Sequence, residues 1–222
     1  MNLPKVNLTE RNQDYAIFLP SISTFYNNHV ARQRYNPDFI PASRVPAGFE
    51  NGVEGMNFLN EEQAYFKYKW GLYSAGHAQL NLAKADESDS MVQERDREKT
   101  FILGDSGGFQ IAKGLWEGDW RANSGCAKAQ KKRELVLNWL DNISDYCMTL
   151  DIPTWVIHDK KASRACQITT LQEAVDATKF NNNYFMQHRK GVRNGGTKIL
   201  NVLQGDNHTS ADAWYEEMKH FC

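Results

Sequence analysis

The chain has 222 residues, 41% of them hydrophobic, and a formal net charge of -1. That length supports a domain with a sizeable core, and the near-neutral charge excludes nucleic-acid recognition by bulk charge, so any such contact must be local. No run approaches about 18 consecutive apolar residues, which excludes an evident transmembrane helix, and residues 1–15 lack the apolar core of a signal peptide. The four cysteines, Cys126, Cys147, Cys166 and Cys222, are far apart and form no Cys-x-x-Cys pair. They predict neither a zinc site nor a redox motif, and they fit a reducing cytoplasm.

Residues 15–20, Tyr-Ala-Ile-Phe-Leu-Pro, read as a first short strand closed by proline. The polar-aromatic residues 21–26 are expected to form a loop at its exit. Residues 35–55 hold three prolines and three glycines with little periodicity and predict irregular structure. Asn60 is placed to cap a helix over 60–69, with Tyr65, Phe66 and Lys69 at helical spacing. Residues 71–74 form a candidate second strand. The charge-dense residues 84–99 predict a solvated helix or loop.

The apolar run Phe101-Ile102-Leu103 predicts a buried strand that opens into Gly104-Asp105-Ser106-Gly107-Gly108-Phe109-Gln110. Two adjacent glycines let the backbone turn sharply and let a flat ligand lie close to it. Phe109 can then cover one face of that ligand, with Asp105 where the strand opens to solvent. As a bare motif, this is equally a strand-to-helix turn that holds an Asp. Residues 114–132 are glycine-rich, then basic. A helix is expected over 133–146, with Val136, Trp139, Leu140 and Ile143 on one face. Residues 147–150 predict a buried strand ending at Asp151. A second amphipathic helix covers 170–189, made less regular by Asn181-Asn182-Asn183. Residues 198–203 predict the next strand, ending at Gln204-Gly205. Thr209 with Asp212 starts a last helix, striped by Trp214, Met218 and Phe221.

From residue 101 onward the order is strand, helix, strand, helix, strand, helix. Such alternation implies an α/β fold with parallel strands and crossover helices, without separating a barrel from an open doubly wound sheet. No dinucleotide-type Gly-x-Gly-x-x-Gly and no phosphate-loop Gly-Lys-Thr is present. Asp105, Asp151 and Gln204 each follow an apolar run, so parallel strands project all three from the C-terminal edge of one sheet. For any one of them, helix capping explains the residue as well as function does. Together they form a chemical set. Carboxylates only accept, while a carboxamide both donates and accepts. The guanine edge donates from N1 and its exocyclic amine and accepts at O6. A carboxylate facing the two donors, with an amide NH2 facing O6, complements guanine and rejects adenine.

Three separated motifs, Asp105 to Gln110, Met148-Thr149-Leu150-Asp151 and Val202-Leu203-Gln204-Gly205, resemble those of the tRNA-guanine transglycosylase family in the same order. Ile17-Phe18-Leu19-Pro20 is similar to the family's first barrel strand, and His77 echoes a further family loop. The resemblance implies a (β/α)8 barrel that exchanges guanine for a 7-deazaguanine without breaking the nucleic-acid chain. It assigns Asp105 as general acid/base and Asp151 and Gln204, with Gly205, as base recognition. Ser106, Gly107, Gly108, Phe109 and Gln110 become the pocket floor and stacking lid. Residues 21–26 and Ile102-Leu103-Gly104 resemble the phage-type DNA transglycosylases more than the queuosine tRNA enzymes, so DNA is the favoured partner and tRNA the alternative. The basic stretches 128–133 and 189–198 are candidates for phosphate contact and, equally, solvated surface loops.

The chain departs from the family after residue 222, roughly five βα units into a barrel that needs eight. The family's covalent Asp nucleophile and its zinc ligands, a Cys cluster with a His, belong to later strands. The expectation is therefore a single, C-terminally incomplete barrel domain over residues 1–222, completed by a further segment or a second chain. The remaining readings are a non-catalytic guanine-binding subunit of a split enzyme and a barrel hydrolase with an unrelated Asp site. No metal is expected in this chain, since the cysteines lack ligand spacing and His158, His188 and His208 are isolated. No membrane partner is expected, and the location implied is cytoplasmic, the host's cytoplasm for a phage-encoded chain.

Overall fold

A computed structural model describes residues 17–30, 42–44, 47–48, 54–88 and 90–221. In chain order the elements are α1 (Thr24–Val30), β1 (Trp70–Ser74), α2 (Leu82–Ser88), α3 (Ser90–Gln93), β2 (Phe101–Asp105), α4 (Gly108–Ala112), α5 (Ala127–Ile143), β3 (Tyr146–Met148), α6 (Lys160–Cys166), α7 (Leu171–His188), β4 (Lys198–Leu200) and α8 (His208–Met218). Short 3-10 turns intervene, among them Glu54–Met56 and Thr154–His158. The strands form one four-stranded parallel sheet in the order β1-β2-β3-β4. The fold is therefore α/β, as the alternation implies. The middle of β2 is buried throughout, which is why its sequence reads as a continuous apolar run. Among the described residues no helix is long and apolar enough to cross a membrane.

Contacts divide the chain into two compact units, Met1–Tyr73 with His77–Leu103, and Ser74–Gly76 with Gly104–Cys222. In the first unit, the strand expected over 15–20 is reduced to one parallel bridge, Ser21 to Leu72. Residues 15–16 lie outside the described residues, and 17–20 are not strand. Pro20 accepts from Leu72 N–H at 2.9 Å but has no N–H to extend the ladder. Residues 21–26 are not a loop throughout. Ser23 Oγ accepts from Tyr26 N–H at 3.1 Å and so caps α1. The expected irregular stretch 35–55 falls largely outside the described residues. The helix expected over 60–69 is a single turn. Asn60 caps it as expected, but Tyr65 N–H then turns to Gly55 O at 2.8 Å and Tyr68 N–H to Phe58 O at 3.0 Å. Residues 84–99 include parts of α2 and α3 rather than only solvated chain, because Ala85, Met91 and Val92 are fully buried between the charges.

In the second unit, α5 starts at Ala127, earlier than residue 133. Arg133 belongs to its buried face, between the rings of Trp120 and Phe180 at 5.1 and 4.8 Å. Burial holds the guanidinium pKa down to about 10. Val136, Trp139, Leu140 and Ile143 are buried as their spacing predicts. Each apolar side chain so buried stabilises by about 1.5–3 kcal/mol. Gly104 lets β2 approach α5, since a Cβ there would lie 2.7 Å from Leu140 and from Ser144. β3 pairs with β4 in parallel, Cys147 opposite Ile199. Both strands end sooner than expected, at Met148 and Leu200. Asp151 and Gln204 therefore stand in segments beyond the ladder. Helix α7 begins with a Thr170–Glu173 capping box, and α8 is capped by Asn207 rather than started at Thr209.

Candidate functional site

The two segments that leave the sheet are each held by the helix that follows. After β3, Asn181 of α7 donates its side-chain N–H to Leu150 O at 2.7 Å, and Thr178 Oγ1 accepts from Ile152 N–H at 2.9 Å. These bonds fix both flanks of Asp151. Arg133 Nε donates to the other end of the Asn181 amide. After β4, Trp214 Nε1 of α8 donates to Val202 O at 2.8 Å and Asn201 Nδ2 donates to Met218 O at 2.6 Å. Gly205 lies so close to α8 that a Cβ would meet Ala211 at 2.6 Å. Buried backbone that leaves a sheet must find such partners or lose about 1–3 kcal/mol per orphaned group.

This brings Asp151 and Gln204 together: Gln204 Nε2 donates to Asp151 Oδ2 at 2.7 Å. Gly108 packs on Asp151, where a Cβ would lie 2.4 Å from its carbonyl oxygen and 3.0 Å from Oδ1. Asp105, at the end of β2, accepts from Ser74 Oγ at 2.6 Å and, at a longer 3.4 Å, from Gly107 N–H. Gly107 holds φ 87°, left-handed backbone that its lack of a side chain permits, at the start of α4. The Ser106 hydroxyl is turned inward to Thr149 O at 2.7 Å and is fully buried, so Ser106 joins the loops after β2 and β3. Gln110 is 5% exposed, with its amide against Gly76. Among the described residues its Oε1 has no hydrogen-bond partner.

The two carboxylates stand in different surroundings. Asp151 is 7% exposed, and burial pushes its pKa up to about 6. The negative charge of Asp105 adds to the rise, and the Gln204 bond opposes it. Asp105 is only half-buried. Paired carboxylates with separated environments allow a division of acid/base and recognition roles.

Three features around the loop are absent from the sequence reading. Phe109, 53% exposed, faces Trp155 with ring centroids 6.1 Å apart, and Lys113 Nζ lies over both rings. Trp116 packs on Gly107 and carries Lys132 Nζ at 4.8 Å from its ring centroid. Asp206, two residues after Gln204, accepts from Thr154 Oγ1 at 3.1 Å and bonds His158 Nε2 at 2.9 Å, which holds its carboxyl below the usual range. The clue was the aromatic Trp155 four residues past Asp151. These partners are far apart in sequence, so spacing alone does not join them.

Among the described residues no group of three or more His, Cys, Asp and Glu is placed to hold a metal. The first unit has a concavity of about 200 Å³ that includes Glu61, Glu94, Asp96 and Lys99. Lys99 pairs there with Glu61 at 3.8 Å and with Asp96 at 3.5 Å. It gathers neither of the motif carboxylates, so the candidate site is the one in the second unit. Comparison with protein-family models, curated proteins and solved structures finds no match to this chain.

Proposed function

We propose that this chain carries the base-recognition and proton-transfer part of a transglycosylase that replaces guanine by a 7-deazaguanine in nucleic acid, with DNA favoured. The observation that carries the reading is the Asp151–Gln204 bond of 2.7 Å beside Gly108, with Asp105 at the end of the neighbouring strand. The ionised Asp151 accepts from guanine N1–H and the exocyclic amine. One N–H of Gln204 is engaged by Asp151, and the other donates to O6. Adenine presents an acceptor at N1 and a donor at C6, so both contacts fail. Asp105, held by Ser74, gives a proton to the departing guanine and takes one from the incoming base.

The parallel sheet is read as part of a (β/α)8 barrel, whose C-terminal edge is where such enzymes place their chemistry. Exchange also needs a carboxylate nucleophile to hold the sugar at C1′ while the bases change places. The family resemblance puts that Asp on a later strand, and none of the described residues is assigned that role. The family's zinc has no donor set among the described residues, and no step here runs through it.

The test is incorporation of labelled guanine and labelled 7-deazaguanine into DNA and into tRNA by the protein. Label entering DNA is expected. Label entering only tRNA places the protein on the queuosine branch, and label in neither polymer contradicts base exchange.

A further inference from the structure

We propose that two lysine–aromatic stations adjoining the Asp105–Gln110 loop bind the nucleotides flanking the target in an unpaired strand. The first is Phe109 of α4 with Trp155, their ring planes 51° apart and Lys113 Nζ 5.4 and 5.0 Å from the two centroids. The second is Trp116 with Lys132 Nζ at 4.8 Å, built onto the loop because a Cβ on Gly107 would lie 2.5 Å from the Trp116 ring. Gly107 and Phe109 bracket Gly108, which lies on Asp151. Both stations therefore adjoin the loop whose Gly108 lies on Asp151.

Each lysine fixes a positive charge over a ring, and Phe109 still exposes 53% of its surface for stacking. Bases stack on such rings whatever their identity, and the neighbouring ammonium meets the phosphate. A duplex hides the base faces, so the stations select unpaired nucleotides. This is also how a chain of net charge -1 can hold a polyanion, through local charge alone. Asp159 lies within electrostatic reach of Lys113, but its carboxylate is engaged by Lys161 N–H at 2.8 Å and Ala162 N–H at 3.0 Å. The inference rests on the base-exchange reading only for which base lies at Asp151.

The experiment is fluorescence anisotropy of the 222-residue protein with labelled five-nucleotide strands, all-thymine DNA and all-uracil RNA, each with an abasic centre, and with a DNA duplex. The abasic centre removes any contribution from the guanine pocket. Binding of at least one single strand, about tenfold tighter than the duplex, is expected. Trp155→Ala and Lys113→Ala should each weaken it about tenfold, and Lys113→Arg should restore it. With two lysines on two phosphates, log K should fall against log salt with a slope of about -1.4, reduced to about -0.7 in Lys113→Ala. A purely structural lysine would leave that slope unchanged. Equal binding of duplex and single strands, no binding of either strand, or variants that match the parent would overturn the stations. Abasic-strand binding that depends on Trp155, in a protein that does not bind free guanine, would keep the stations and remove the exchange reading.

Discussion

Asp151 is a carboxylate whose folded surroundings favour its neutral form, with a pKa of about 6 against an ordinary 3.8. The raised value means that the folded chain holds the proton more tightly than the unfolded chain. Its contribution to stability is present in full below about pH 4 and is lost as pH rises through about 6. Keeping Asp151 ionised at neutral pH therefore costs the fold about 3 kcal/mol. Asp151→Asn should be more stable than the parent at pH 8 by up to about that amount, with the difference vanishing near pH 4. Urea denaturation at the two pH values reads this directly, and a variant less stable at pH 8 would mean that the buried charge is compensated. Asp105→Asn should behave differently: base exchange nearly abolished, and guanine affinity within about threefold of the parent. Exchange at the parent rate would end the proton-transfer role. Asp105 was legible because its motif directly follows a strand. Ser74, which orients it, was not, because the two residues meet only across the sheet.

At the level of elements, α7 and α8 act as clamps on the segments that carry Asp151 and Gln204. Asn181→Ala should cost about 1–3 kcal/mol, because Leu150 O and Arg133 Nε lose a buried partner. It should also lower guanine affinity by loosening Asp151. Thr170→Ala, at the start of the same helix, removes the cap and should cost about 1 kcal/mol with guanine affinity unchanged. Equal effects of the two variants on binding, measured beside their denaturation midpoints, would show that α7 does not position the site. The sequence pattern marked α5, α7 and α8 through their apolar faces. It overran β3 and β4 because Leu150 and Val202 continue the apolar runs while their carbonyls change partners from strand to helix side chains. The asparagines that looked like an irregularity in α7 include the residue that holds the site. Their role was illegible because only the fold shows what they face. The helix expected over 60–69 failed for a related reason: its donors found carbonyls at Gly55 and Phe58.

For the whole molecule, alternating strands and helices were enough to imply the α/β class and the shared edge at which Asp105, Asp151 and Gln204 stand. Alternation does not encode how a sheet closes, so closure into a barrel is implied by the motif resemblance alone. The same three residues allow a decisive test on the chain as it is. Isothermal titration of the 222-residue protein with free guanine and with adenine should be carried out at pH 7.5 and at pH 5. Protonating Asp151 replaces an acceptor by a donor in front of guanine N1–H, so affinity should fall about tenfold between the two conditions. Guanine binding at pH 7.5 that is weaker at pH 5, with no adenine binding at either, is the expected result. Absence of guanine binding, or equal binding of the two purines, would contradict the guanine pocket.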